Sequence, residues 1–368
     1  PGISPGERPK QKAAGSRQKI EANYHQERTT LMKRITSLLL YTLTSALALT
    51  ACSTDIEGNK VRIALDWTPN TNNTGIYVAQ QNGWYAQQGI DLQILPYSDA
   101  NTPDTLVATG QAEFGVSFEE AVVTDRVNNL PVKSVAAVLQ TNTSALATLK
   151  ESGLDRPAKL EGKRYAGFGS AYEEPVLTTV LKNDGAPTGA FRNVTTNVSG
   201  YQALVSRQAD FLWIFMGVEG VQSQLDKVEL DTFLLKDHGV PDYYTPVIIA
   251  NEKFLADHAD VAKRFLAATA QGYEYGVTNP TEAADLLFKG APSGTFADAT
   301  FPRESQKYLA PYFKADQPHW GTQTLEKWTD FPRFIASTDL LKTSEGKVVK
   351  PEEIDYASLF TNDYLPVR

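Results

Sequence analysis

The chain has 368 residues, 42% of them hydrophobic and 21% charged, and its 43 acidic against 35 basic residues leave a formal net charge of -8. That sign repels phosphate backbones and anionic headgroups, which argues against nucleic acid as a partner, and a single cysteine excludes both a disulfide framework and a thiolate metal site. The length allows one large or two ordinary domains with well-buried cores.

Residues 1–31 are polar and basic, lack apolar periodicity and precede Met32, so they are expected to be an upstream extension outside the fold, with Met32 as the initiator. Residues 32–51 read as a lipoprotein signal peptide. Lys33 and Arg34 form the cationic start, residues 38–49 form an apolar run too short to span a bilayer, and small Ala51 precedes Cys52. Cys52 is then the acylation site, and the protein is expected outside the cytoplasm, lipid-anchored to the cell membrane. Residues 1–51 hold eight basic and three acidic residues, leaving 27 against 40 and a formal net charge of -13 for the remainder.

Beyond Cys52, residues 60–66 (KVRIALD) suit a buried strand, residues 67–74 a loop, and a helix is expected from about Gly75 to a stop at Gly83. A second strand follows over residues 90–95. This order argues for an α/β architecture of mostly parallel sheets covered on both faces. An internal echo, LVATGQAEF at 106–114 and LVSRQADF at 204–211, places a helix end and a strand start at equivalent corners of two lobes. The lobes are expected at 60–143 with 246–368, and at 144–245. Their crossovers, near 140–144 (QTNTS) and 243–246 (YYTP), would form the hinge. Helical segments at 261–275 and 326–341 are expected to flank the first lobe. Ligands of open α/β sheets bind outside the carboxyl ends of strands, so the cleft between the lobes inherits loops from both.

Residues 65–77 (LDWTPNTNNTGIY) supply the densest such loop. Trp67 offers a flat face for stacking, and Asn70, Asn72 and Asn73 offer paired donors and acceptors; the same residues also fit an Asx turn capping the next helix. At 167–175 (GFGSAYEEP), Ser170 and Glu173 stand in capping-box spacing, which leaves Tyr172 and Glu174 as the candidates. Residues 211–220 (FLWIFMGVEG) read as a strand with Trp213 and Phe215 on one face, Trp213 being the stacking candidate. Of Tyr243 and Tyr244, one ring is expected in the cleft and the other in solvent. His238, His258 and His319 lack metal-ligand spacing.

The motifs ALDWTPNTNNTGIYVA, VAAVLQTNTS, GSAYEEPVL, DFLWIFMGVEG and YYTPVIIANEKFL, in that order, closely resemble the ABC-transporter substrate-binding proteins of the thiamine-pyrimidine-precursor, or ThiY-like, family over most of residues 60–310. The resemblance implies a two-lobed type II periplasmic-binding-protein fold with a hinged cleft, which closes on formylaminopyrimidine between aromatic rings while an acid reads its amino groups. Those roles then fall to Trp67, Asn70, Tyr172, Glu174, Trp213 and Tyr244. Asn73 stands where many relatives have histidine, and Thr141 where a second histidine is expected. Implied partners are a small planar heterocycle, an ABC permease and its ATPase, with no cofactor and a monomeric chain. Riboflavin is the alternative ligand, because RibY-like proteins resemble the same scaffold. An enzyme alternative is thiamine pyrimidine synthase, of the same fold family, which uses an active-site histidine, pyridoxal phosphate and iron; Asn73 at the donor position and the lack of a cysteine-rich motif oppose it.

Overall fold

The computed structural model describes residues 59–366, apart from residues 99, 168, 171 and 199, and the signal-like segment and Cys52 lie outside them. β1 (Lys60–Ala64) buries Val61 and Ile63 completely, the alternation of a strand with one face in the core. It pairs in parallel with β2 (Asp91–Leu95) and β3 (Phe114–Ser117). β4 (Val132–Ala137) completes the run, and the first sheet has the order β2-β1-β3-β10-β4, with β10 (Val247–Asn251) antiparallel to both β3 and β4. The second sheet repeats the pattern as β7-β6-β8-β5-β9, built from β5 (Ser144–Leu149), β6 (Arg164–Ala166), β7 (Arg192–Asn193), β8 (Phe211–Phe215) and β9 (Leu230–Leu234). Its antiparallel member is β5, paired with β8 and β9. Four of five strands in each sheet therefore share one direction, and the exception is the strand that crosses over from the other sheet. β5 and β10 are buried along their whole length, as strands covered on both faces require.

The two echoed segments run into β3 and β8, the same position in each sheet. Their acids make the same bond: Arg62 of β1 grips Glu113 with Nη2 at 2.6 Å, and Arg164 of β6 grips Asp210 with Nη2 at 2.8 Å. The acid also accepts the arginine's own backbone N–H, at 2.7 Å in the first case and 2.8 Å in the second. Each fork ties the strand second in its sheet's order to the corner before the strand third in that order.

The long helix Ala259–Thr278 lies against Thr74–Gln81, as expected of a helix flanking the first sheet. A Cβ on Gly272 would sit 1.9 Å from the Gly75 carbonyl oxygen, and one on Gly75 would sit 2.2 Å from the Tyr273 ring. Only glycine permits this approach. Tyr273, stacked on Trp320 at 4.2 Å, donates to the Asn72 carbonyl at 2.6 Å and so steadies the loop after β1.

The crossovers are tied to each other. Asp242 accepts from the Thr141 hydroxyl and the Asn142 backbone N–H, both at 2.8 Å, and from Lys327 of helix Lys327–Ser337. The Thr245–Pro246 peptide is cis. The expectation of one tyrosine in the cleft and one in solvent fails here, because both Tyr243 and Tyr244 are 1% exposed. Helix Lys327–Ser337 covers the outer side: Phe331 stacks on Tyr243 at 3.7 Å, and Trp328 lies 6.3 Å from Tyr244. One apolar cluster, including Leu146, Tyr165, Trp213, Tyr243 and Trp328, joins the two sheets.

Candidate functional site

The loop leaving β1 is shaped by its asparagines. Asn70 caps the turn Thr71–Asn73: its carbonyl oxygen Oδ1 accepts from Asn72 N–H at 2.9 Å, while Asn73 Oδ1 accepts from Asn70 N–H at 3.1 Å. The capping alternative thus accounts for most of Asn70. Asn73, fully buried, turns its side-chain amide toward the Asp66 carboxyl, short of a well-formed hydrogen bond. Trp67 is 57% exposed and rests its ring 5.0 Å from Tyr97, leaving most of the indole open for stacking.

Asp66, at the β1 exit, has a buried Oδ1 with no partner. Burial, aided by the charge of Asp104, pushes its carboxyl up to about 6. Asp104 accepts from Ser117 at 2.5 Å and is itself raised by burial. Asp125 faces Asp104 and is likewise raised, by burial and by the Asp104 charge.

Helix Glu119–Val127 starts directly beyond β3, and its first two residues turn inward. Glu119 is fully buried; its Oε2 accepts from Tyr244 N–H at 2.8 Å, which anchors the second crossover to this helix, and its Oε1 has no partner. Burial lifts its pKa well above the usual carboxylate range. Glu120, 8% exposed, is raised to about 7 by burial and takes a hydrogen bond from the Tyr172 hydroxyl of the second sheet's half. Its Oε2 lies buried with no partner.

From the second sheet come Tyr172 and Trp213, edge to face at 6.4 Å and 72°. Tyr172 is placed by the capping arrangement below it: Glu173 accepts from Ser170 N–H at 2.5 Å and from the Tyr165 hydroxyl at 2.6 Å. Gly167 makes room, since a Cβ there would lie 1.7 Å from Glu173 Oε2. Trp213 lies on β8, which ends in a single π turn, Met216–Gly220. That turn is held from the other half by Ser305, which donates to the Gly217 carbonyl and shares a 2.5 Å hydrogen bond with Thr71.

The structure therefore brings Tyr172 and Trp213 together, and places Asn70 and Asn73 in one turn beside Trp67. Glu174 is exposed on the first turn of helix Glu173–Asn183, apart from that group. Tyr244 is buried under Lys327, whose Nζ sits 5.1 Å over its ring, and its hydroxyl accepts from Thr324 N–H at 3.1 Å. Residues not singled out in the sequence, Asp104, Glu119, Glu120 and Asn142, supply most of the polar wall. Glu119 and Glu120 follow a strand as the first turn of a helix, the position where acids are also favoured by the helix dipole, so their type alone carried no signal.

The sequence matches the family described as NMT1/THI5 like over residues 70–283. It is 30% identical to the formylaminopyrimidine-binding protein of Halalkalibacterium halodurans, across 84% of this chain and 94% of that protein. It is 27% identical to the 4-amino-5-hydroxymethyl-2-methylpyrimidine phosphate synthase of Legionella pneumophila, across 84% of this chain and 93% of that one. In fold it is similar to the periplasmic aliphatic sulphonate binding protein SsuA from Escherichia coli, with a TM-score of 0.61 and 12% identity over 82% of this chain and 91% of that chain.

Proposed function

The chain belongs to the NMT1/THI5-like family, and we propose that it is the substrate-binding lipoprotein of an ABC importer, capturing a formylaminopyrimidine-like precursor of the thiamine pyrimidine. On this reading residues 60–143 with 246–368 form one lobe and 144–245 the other, Cys52 carries the lipid outside the cytoplasm, and a permease with its ATPase receives the closed form. Ligand binding shifts the balance between open and closed lobes about the crossovers.

The observation that carries the reading is that Tyr172, edge to face with Trp213, meets the Glu120 carboxyl of the other half, where Glu120 Oε2 and the neighbouring Glu119 Oε1 are buried without a close partner. Aromatic faces suit a flat ring, and free acceptors suit its amino groups. A flavin ring presents mainly acceptors of its own at its polar edge, a poorer match to those oxygens. Asn73, with no ionisable ring at that position, favours capture over chemistry.

Purifying the protein and identifying the co-purifying small molecule by mass tests this. A colourless sample whose melting temperature rises with aminopyrimidines is the expected result. A yellow, flavin-fluorescent sample would establish the riboflavin alternative, and stoichiometric iron with pyridoxal phosphate would establish the enzyme.

A further inference from the structure

Five carboxyls gather where β1 and β3 end: Asp66, Asp104, Glu119, Glu120 and Asp125. The charges acting on them are one another's, that of Asp242 and that of Lys327, and the Lys327 ammonium is already held by Asp242 and the Gln140 carbonyl. Arg126, on the same helix as Glu119 and Glu120, is paired with Glu252 at 2.6 Å instead. Beside the acids, the buried side-chain amides of Asn73 and Asn142 face Asp66 and Tyr243, so the open valences of the wall are carboxyl oxygens, Glu119 Oε1 and Glu120 Oε2 among them.

Glu120 is distinctive within this wall. Its carboxyl faces the Tyr172 hydroxyl of the opposite half, and its Oε2 is buried with no close partner. A molecule that parts Glu120 from Tyr172 meets a carboxyl oxygen in need of a donor and an aromatic ring, and the cation acting on these carboxyls, Lys327, is already held by Asp242.

Resting on the heterocycle-binding reading above, we infer that this wall makes the cleft select neutral or cationic heterocycles bearing N–H donors and reject their phosphate esters, with Glu120 as the specificity-determining residue. An amino group satisfies the free oxygen as a charge-assisted hydrogen bond. A phosphate brings close to two negative charges against carboxylates that are largely shielded from water, and like charges so placed oppose binding strongly. Discrimination thus arises from repulsion as much as from attraction.

The test compares 4-amino-5-hydroxymethyl-2-methylpyrimidine with its phosphate ester by titration calorimetry on the full chain at pH 8, where Asp66 and Glu120 are ionised. The protein is expected to prefer the alcohol by at least about 100-fold. Glu120→Gln is expected to shrink that ratio below about 10-fold, losing affinity for the alcohol and gaining it for the ester. Asp66→Asn, a second variant should the first fail to fold, is expected to move the ratio in the same direction. Equal affinity of the unaltered protein for the two compounds, preference for the ester, or an unchanged ratio in a folded variant overturns the inference while leaving heterocycle binding intact. Binding of neither compound removes the heterocycle reading itself and the inference with it.

Discussion

Lys327 places its Nζ 2.5 Å from Asp242 Oδ2, and through that contact a helix of the C-terminal segment holds the second crossover against the first. Asp242 completes the arrangement by accepting from Thr141 and from the Asn142 backbone. Both side chains keep part of their surface in water, so the pair is less costly to form, and less costly to break, than a dry one. Asp242→Ala is expected to destabilise the fold by about 1–3 kcal/mol, because three donors lose their acceptor. Lys327→Met should cost less, since Thr141 and Asn142 keep theirs. Urea unfolding of the two variants measures the difference, and equal effects would show that Asp242 matters only as half of an ion pair.

Gly167→Ala would drive a methyl group into Glu173 Oε2, 1.7 Å away, and displace the carboxyl that holds Tyr165 and Ser170. Tyr172 is carried by this loop. The substitution should therefore weaken ligand binding by about tenfold or more, beyond a stability loss of about 1–3 kcal/mol. Calorimetric titration alongside thermal melting separates the two effects.

A carboxyl held above its ordinary pKa keeps a proton in the folded state that the unfolded chain releases, so stability falls as pH rises between the two values. For Asp66, raised to about 6, and Glu120, raised to about 7, the window runs from about pH 4 to pH 8. The groups facing Glu120 are Asp104, Glu119, Tyr172 and Tyr243, and none supplies positive charge. The Glu120 contribution is at most on the order of 3 kcal/mol. Glu120→Gln is expected to flatten the decline in melting temperature from pH 5 to pH 8; an unchanged slope would mean that Glu120 is not the group responsible.

Gly272→Ala sets a methyl carbon 1.9 Å from the Gly75 carbonyl oxygen, which two packed helices can relieve only by moving apart. A loss of about 2 kcal/mol or more is expected from denaturant unfolding. Because neighbouring Tyr273 holds Asn72, affinity should fall with it.

Trp67→Ala offers the converse case. Its ring is mostly exposed and touches Tyr97, so stability should change by less than about 0.5 kcal/mol. Affinity for an aminopyrimidine should drop about tenfold if the indole closes over the ring. Unchanged affinity would remove Trp67 from the site.

Much of the fold was readable along the chain because it depends on near neighbours. KVRIA alternates as a half-buried strand must, and Gly83 takes a left-handed φ of 70° where the helix stop was expected; of the capping box at Ser170 and Glu173 only half forms, Glu173 accepting from Ser170 N–H while Tyr172 stands at the N-cap with no side-chain cap. The echo of LVATGQAEF and LVSRQADF was legible as repeated residues, whereas the arginine each acid grips, 51 residues away in one sheet and 46 in the other, was not.

Which polar groups face the cleft was decided elsewhere. Glu119, Glu120 and Glu174 all occupy first turns of helices after strands, and sequence alone offers the same account of each, stabilisation by the helix dipole. Only the packing of one half on the other buries Glu120 against Tyr172 and leaves Glu174 in solvent. Tyr243 and Tyr244 alternate as neighbours in an extended segment do, yet a helix more than eighty residues later covers the side expected to be wet. Residue type and spacing determine local hydrogen bonding and the period of apolar burial, so the chain by itself determined its strands, caps and repeated corners. Burial, and with it the charge and free valence of each carboxyl, depends on segments far apart in sequence, so only the tertiary structure determined the composition of the wall.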